Sequence, residues 1–315
     1  MIKGCKYVLM VAPFFWIYFR VDIEQTLSDL TNIAWWTVPF VIFSTVAVLF
    51  LQSFRWWVLL RIYVPDLKLL KVWSSHLRAG FYAMVIPSSL AQDAVRAVLL
   101  SHNIDYSLSW GSTWIYKISG LLGWLALSLI GIFLFETDAL PSYIQQLILL
   151  SLLGLLLLSI LSFSKSITRP LRELIEKAHS SKILQKVKNV REAIYAYRDK
   201  KYHLIYSIII AILVQLVMVV GTAVAIFGIS HELFIEECII FIPLIELMIV
   251  VFPLTPGGVG IREALIVLMF EQLGLSIEQM SVYVALGVIA YAVRLLGGIP
   301  VLVETVQRYR TNSTD

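Results

Sequence analysis

Charged side chains stand inside apolar stretches of this sequence, where they could bind a group of opposite charge. The cations are Arg78, Arg96, Lys117, Arg262 and Arg294, and the clear acids are Asp93, Glu246 and Glu263. A charge buried in hydrocarbon is costly, so a functional role is the default hypothesis for such residues. Because the cations outnumber the acids, we predict that these residues form one site for a negatively charged ligand.

A glycine-rich turn leads into one of these cations. Gly257, Gly258 and Gly260 leave the backbone bare, and Arg262 follows at the start of an apolar helix. Unpaired N–H groups at a helix start favour phosphate or carboxylate, and a planar guanidinium suits a phosphodiester. The turn therefore predicts contact with an anionic head group.

Other chemistry has less support in the sequence. The five histidines are scattered near segment ends, and neither Cys5 nor Cys238 has a partner at metal-ligand spacing. No nucleophile stands beside a base in any recognisable arrangement. We expect no metal, no cofactor and no catalysis.

The elements that hold these charges are predicted to be membrane-spanning helices. Apolar residues make up 59% of the chain and mean hydropathy is +0.84, which excludes a soluble domain. We predict an all-α polytopic membrane protein whose residues 1–315 form a single transmembrane domain. Six spans are expected: Tyr7–Phe19, Leu30–Phe54, Trp110–Phe135, Ala139–Ser164, Leu204–Ser230 and Met280–Val303.

Two further apolar regions, 73–100 and 239–270, are interrupted by proline and small residues, which predicts a helix, a break and a second helix in each. Most of the 25 Lys and Arg residues, Arg55 and Arg61 among them, then fall in cytoplasmic segments if both regions are re-entrant hairpins. This topology places both termini in the cytoplasm and the protein in the cell membrane.

An internal repeat relates the two hairpins. Pro87-Ser-Ser-Leu-Ala-Gln-Asp93 aligns with Pro256-Gly-Gly-Val-Gly-Ile-Arg262, and each run opens an apolar helix. The halves, about 30–135 and 203–305, begin on opposite sides of the membrane and are therefore inverted. Inverted repeats with discontinuous helices are an architecture of transport proteins.

Three smaller patterns also predict structure. Residues 165–202 are basic and amphipathic, which predicts a cytoplasmic segment on the anionic leaflet and no nucleic-acid binding. The pairs Trp35-Trp36 and Trp56-Trp57 are interpreted as interface anchors. The small residues Gly111, Gly120, Gly123, Gly287, Gly297 and Gly298 are interpreted as sites of close helix packing.

Several of these motifs together resemble a known family. Arg78, the run from Pro87 to Arg96, Thr255-Pro256-Gly-Gly-Val-Gly-Ile-Arg262-Glu263-Ala and Arg294-Leu-Leu-Gly-Gly look like the lysylphosphatidylglycerol synthase transmembrane region, also called the flippase-like domain family. The resemblance covers nearly the whole chain. Ser88, Ser89, Ala91 and Gln92 stand where family members usually carry glycine, and Lys117 where arginine is common.

The resemblance implies two re-entrant helices around a lipid-accessible cavity, acting in lipid translocation. Family members that also aminoacylate the lipid carry a soluble domain after the membrane part. This chain ends at Asp315, so synthase activity is not expected.

Three functions stay open from the sequence. The first is a flippase for an anionic phospholipid or a polyprenyl-phosphate-linked sugar. The second is a membrane transferase acting on a lipid phosphate, which would need Asp93 paired with Glu246 or Glu263. The third is a lipid-binding accessory subunit without transport. A homo-oligomer and a partner protein of envelope synthesis are both compatible with the sequence.

The internal pairing of the charges is equally open. Asp93 and Arg96 lie three residues apart on one helix face, which favours an ion pair. Arg262 with Asp93, or Glu263 with Arg96, are the pairs expected across the repeat.

Overall fold

A computed structural model describes residues 19–20, 22–84, 86, 91–134, 146, 149–150, 153–154, 157, 182–251, 255 and 258–303. The regular structure in these ranges is helical. The helices are α1 (Ile23–Asn32), α2 (Thr37–Leu60), α3 (Leu69–Ala83), α4 (Ala91–Ser101), α5 (Tyr106–Leu134), α6 (Lys182–Ala196), α7 (Lys201–Ser230), α8 (Ile235–Val251), α9 (Ile261–Gln272) and α10 (Ile277–Arg294). Short 3-10 turns follow α6 at Tyr197–Asp199 and α10 at Leu295–Gly297.

Four of the described helices are long and apolar enough to cross a bilayer: α2, α5, α7, and α10 with its continuation to Val303. They overlap four of the six predicted spans, although the span predicted at Leu30–Phe54 is shifted to Thr37–Leu60. The other two, 7–19 and 139–164, fall almost wholly outside the described residues. The chain is a multi-pass helical membrane protein.

Two pairs of shorter helices occupy the regions where the sequence predicts breaks. In the first pair α3 packs against α4, and in the second α8 packs against α9. The helices start earlier or end later than predicted by a few residues, with α3 beginning at Leu69 and α9 ending at Gln272. Residues 87–90, 252–254 and 256–257, which carry the two breaks, lie outside the described part. Re-entry of each pair from one side of the membrane stays a prediction.

Glycine brings several helices into close contact, as the sequence predicts for most of the small residues singled out. A Cβ atom on Gly123 would lie 2.7 Å from the Cβ of Ala211 on α7, and one on Gly111 would lie 2.8 Å from the Cβ of Ala193 on α6. Gly297 faces the carbonyl of Leu77 on α3. Since the bilayer gives helices no hydrophobic reason to associate, such short approaches provide much of the packing energy.

The basic segment is held by protein contacts as well as by its composition. Helix α6 crosses α5 at Gly111, and the buried Tyr197 donates its hydroxyl hydrogen to the Leu59 carbonyl at 3.1 Å. Residues 185–189, in the first half of α6, are exposed. The predicted helix therefore exists over 182–196, and its contact with anionic lipid stays a prediction. Residues 165–181 lie outside the described ranges.

Replacing Gly297 by alanine should destabilise the protein. The added Cβ atom would lie 2.1 Å from the Leu77 carbonyl oxygen, a backbone atom that cannot rotate away. Overpacking of this kind costs about 1–3 kcal/mol, so the melting temperature in detergent should fall.

Gly154→Ala is the matched control, because a Cβ atom on this helical glycine meets nothing within 4 Å. Alanine is the better helix former, so this variant should melt at the same temperature or higher. Equal melting of the two variants would contradict the packing of α3 on residues 295–297.

Candidate functional site

A polar cavity lies between the long helices and the two helix pairs. The charged residues in its wall are Arg55 on α2, Asp93 and Arg96 on α4, Lys117 on α5, Glu246 on α8, Arg262 on α9 and Arg294 on α10. Among the described residues, five cations and two carboxylates thus face one space. Six of the eleven predicted site residues are brought together here, although they come from five helices.

The first carboxylate in the cavity, Asp93, is shared between two cations. Arg96 Nη2 lies 2.9 Å from Asp93 Oδ1, and Lys117 Nζ lies 3.1 Å from Asp93 Oδ2. The pair of Asp93 with Arg96 on one helix face, favoured by the sequence, is present at ion-pair distance. The N–H bonds of Arg96 Nη2 nevertheless do not point at the carboxylate, since this nitrogen makes no hydrogen bond with the described residues.

Aromatic rings hold the two most deeply buried arginines. The Arg96 guanidinium carbon lies 3.7 Å from the centre of the Tyr116 ring and 4.8 Å from that of Trp56. The Arg55 guanidinium carbon also lies 3.7 Å from the Tyr116 ring, and its Nη2 donates to the Tyr116 carbonyl at 3.3 Å. Gly120 makes room for Arg55, because a Cβ atom there would lie 3.0 Å from Arg55 Nη2. Tyr116 thus positions both guanidinium groups.

The sequence analysis placed Arg55 in a cytoplasmic segment, and the structure shows that this placement is wrong. It lies within α2, is 4% exposed and lines the cavity. The apolar residues that continue after it to Leu60 are the signal that the helix does not end at Phe54. Trp56 is not an interface anchor either, because it is fully buried and donates from Nε1 to Ser112 Oγ at 3.1 Å.

The second carboxylate in the cavity, Glu246, is held by Arg262. The guanidinium donates from Nη2 to Glu246 Oε2 at 3.0 Å and from Nε to Oε1, which makes the pair bidentate. Its third nitrogen, Nη1, donates to the Tyr291 hydroxyl at 2.7 Å, and Tyr291 donates in turn to Glu263 Oε1 at 3.0 Å.

The pairs expected across the repeat, Arg262 with Asp93 and Glu263 with Arg96, are therefore wrong. Packing of α9 against α8 places Arg262 opposite Glu246. Glu246, and not Asp93, therefore forms the ion pair with the Arg262 guanidinium. Asp93 finds its partners on α4 and α5 for the same reason.

The glycine turn allows an unusual backbone conformation and forms a hydrogen bond within the protein. Gly258 and Gly260 have φ angles of 80° and 84°, which side-chain-bearing residues rarely adopt. The Gly260 N–H donates to Glu263 Oε2 at 2.6 Å, so this helix-start donor is already satisfied within the protein. The expectation that this N–H contacts a ligand is corrected accordingly. Gly257 lies outside the described residues.

Arg294 and Arg78 differ in their position relative to the cavity. Arg294 lines it with its guanidinium carbon 5.2 Å from the Tyr291 ring, and no described carboxylate lies within ion-pair distance of it. Arg78 lies half-buried on α3 and is absent from the described cavity wall.

Neutral polar residues that sequence reasoning did not select also line the cavity. His76 Nε2 lies 3.2 Å from Gln52 Oε1 and 3.3 Å from Gln92 Nε2. A single polar residue inside an amphipathic stretch resembles ordinary helix surface, so the sequence carries little signal for this cluster.

The electrostatic state of the cavity favours an anion. Both carboxylates are engaged by cations, whereas Arg55 and Arg294 have no carboxylate partner among the described residues. The Nε groups of Arg55 and Arg96 are buried without a hydrogen-bond partner in the same part of the chain. An unsatisfied buried donor costs about 1–3 kcal/mol and more if charged, so a ligand with acceptor oxygens would stabilise this arrangement.

These features define a class of protein: a multi-pass helical membrane protein with a central cationic cavity. Residues 5–298 match the family described as the lysylphosphatidylglycerol synthase TM region, and the chain belongs to that family. It is a membrane protein related to lipid handling. Searches of curated proteins and of solved structures gave no match to the chain.

Replacing Arg262 by glutamine should destabilise the protein, because Glu246 would keep a buried charge without its cation. Breaking a buried ion pair from one side costs about 3–5 kcal/mol. Adding Glu246→Gln removes that charge, so the double variant should recover most of the melting temperature in detergent.

The control for this pair is Asp93→Asn in the Arg262→Gln background. Asp93 keeps its partners on α4 and α5, so this change should restore nothing. Rescue by Asp93→Asn instead of Glu246→Gln would refute the observed pairing.

Proposed function

We propose that this protein binds the anionic head group of a membrane lipid in the polar cavity and moves it across the bilayer. The head group is a phospholipid phosphate or a polyprenyl-phosphate-linked sugar. The observation that carries the proposal is the cation excess in a cavity whose two carboxylates are already paired. A phosphate would supply the missing negative charge.

The positions of the cavity charges in the two helix pairs support transport of the ligand across the membrane as well as its binding. Asp93 and Arg96 open α4 in one helix pair, and Arg262 and Glu263 open α9 in the other. Both openings meet beside the same cavity, which is the arrangement expected at the interface of an inverted repeat. We propose that the two pairs are re-entrant hairpins, with residues 7–19 and 139–164 completing six spans. Rocking of one half against the other would then expose the site to each side in turn.

Contacts between distant segments support the proposed sidedness. Arg20 donates from both terminal nitrogens to Glu271 at 2.9 Å, and the positive-inside assignment places both residues outside. At the other end, Lys186 lies 5.0 Å from the Tyr106 ring, and Tyr197 bonds to the Leu59 carbonyl. Lys186, Tyr106 and Tyr197 belong to segments assigned to the cytoplasmic side, and Leu59 lies near the end of α2 that the same topology places there. The contacts join segments of the same predicted side in each case.

We propose binding and transport without a chemical step. A transferase would need a carboxylate pair free to hold a metal or to act as a base, and Asp93 and Glu246 each have cationic partners instead. Metal-dependent turnover of a lipid phosphate would favour the transferase. Lipid binding without translocation would favour the accessory subunit.

Arg294→Gln should weaken lipid transport while leaving the fold intact. No described carboxylate depends on Arg294 for its counter-charge, so removal of the cation strands no buried anion. A hydrogen bond to a charged group contributes about 1.5–3 kcal/mol, which corresponds to a loss of roughly 10- to 100-fold. The measurement is translocation of fluorescent phosphatidylglycerol in liposomes, with melting in detergent as the test of folding.

Arg61→Gln is the matched control, because Arg61 is exposed and stacks on Trp57 outside the cavity wall. It should transport like the wild type. Normal transport by Arg294→Gln would remove Arg294 from the site, and absence of transport by the wild type would refute the function.

Reporter fusions should place the positions after residues 140 and 233 outside the cell, and both termini inside. This follows from the distribution of Lys and Arg between the predicted loops. Cytoplasmic signals from both fusions would contradict the inverted repeat, whatever the outcome of the transport assays.

A further inference from the structure

A second cavity adjoins the polar one. The two share the wall residues Thr45, Val48, Met218, Arg262 and Arg294. The charged residues of the second wall within the described chain are these two arginines and Glu263, so its charge is confined to the junction. Beyond the junction its surface is mainly apolar, which defines what we call the apolar cavity.

The two cavities lie end to end along the long helices. On α2 the polar cavity reaches Arg55 near the carboxyl end, and the apolar cavity reaches Val41 near the amino end. Fourteen residues separate these positions, or roughly 21 Å at 1.5 Å per residue. Such a track suits an elongated ligand with a charged end and an apolar end.

Gly287 on α10 lines the apolar cavity and takes no part in close helix packing. A Cβ atom there would meet nothing within 4 Å, whereas one on Gly123 or Gly228 would collide with a neighbouring helix. Glycine in a helix interior is destabilising relative to alanine, and at Gly287 no close helix contact offsets this. The residue keeps space open in the wall of the apolar cavity.

The junction explains why that space would be needed. A lipid phosphate bound at Arg294, in the wall shared by the two cavities, carries its hydrocarbon chain only a few bonds away. That chain cannot lie in the polar cavity without burying charged groups against hydrocarbon. The apolar cavity begins at this same arginine.

We propose that the apolar cavity holds the hydrocarbon chain of the ligand, so that the substrate class is a phosphate-bearing amphiphile with at least one long chain and not a free soluble anion. This inference rests on the proposed function, because it assigns the head group to the polar cavity. The chain lies between α2, α7 and α10, and Gly287 determines how much of it fits.

The test introduces side chains of increasing size at Gly287 to fill the apolar cavity. The variants are Gly287→Ala, Gly287→Leu and Gly287→Phe. Gly154→Phe is the matched control, because this helical glycine is exposed and also has nothing within 4 Å of its Cβ position. Two probes with the same phosphodiester are compared by their stabilisation of the purified protein in detergent: dioleoyl phosphatidylglycerol and the chain-free glycerophosphoglycerol. Translocation of phosphatidylglycerol in liposomes is measured in parallel.

Affinity for dioleoyl phosphatidylglycerol should fall stepwise from alanine to phenylalanine, by tenfold or more for Gly287→Phe, while affinity for glycerophosphoglycerol stays at the wild-type value. Gly154→Phe should change neither. If Gly287→Phe does not fold, Gly287→Leu carries the same comparison.

Wild-type affinity of the folded Gly287 variants for the long-chain lipid would overturn the inference, as would equal loss for both probes. Binding of glycerophosphoglycerol but not of the lipid by the wild type would show that the ligand is a soluble anion. Chain-dependent binding without translocation would leave the inference standing and refute transport. Binding of neither probe would refute both proposals.

Discussion

Charge buried within a membrane protein must be compensated locally, because the surrounding hydrocarbon provides neither counter-ions nor hydrogen bonds. The two cavity carboxylates show how this protein meets that constraint. Asp93 links α4 to α5 through Lys117, and Glu246 links α8 to α9 through Arg262. The first ion pair ties one helix pair to α5, and the second holds the two helices of the other pair together beside the cavity.

The same constraint separates two kinds of cation. Lys117 and Arg262 form ion pairs with carboxylates. Replacing either of them alters the balance of buried charge within the protein. Arg55 and Arg294 have no carboxylate partner in the described chain and rest against the rings of Tyr116 and Tyr291. Cation–π contacts hold a guanidinium in place without neutralising it, so these two retain charge for a ligand. The division explains why the cavity can be both stably packed and attractive to an anion.

Close packing and open space are likewise produced by the same residue type. Gly123 and Gly297 let helices approach until their backbones touch, whereas Gly287 faces a cavity and Gly120 faces the Arg55 guanidinium. Close contacts at these glycines set the distances between the helices, and a space lies between the helices beside them. In a bilayer, where apolar surface has no preference for protein over lipid, this geometry decides which ligands fit.

The sequence by itself determined the helical membrane class, four spans that the structure describes and the helix–break–helix character of two regions, because hydropathy and proline act locally along the chain. It also selected most of the charged residues that meet in the cavity, since burial of charge is unusual enough to be visible in one dimension. Only the tertiary structure determined which charged residues form ion pairs with each other. Arg262 pairs with Glu246 and not with Asp93 because packing of neighbouring helices sets the distances, and Arg55 enters the cavity because α2 continues past the end of its apolar stretch. The distances between packed helices are not encoded in the composition of any one segment, which is why the pairing came from the fold.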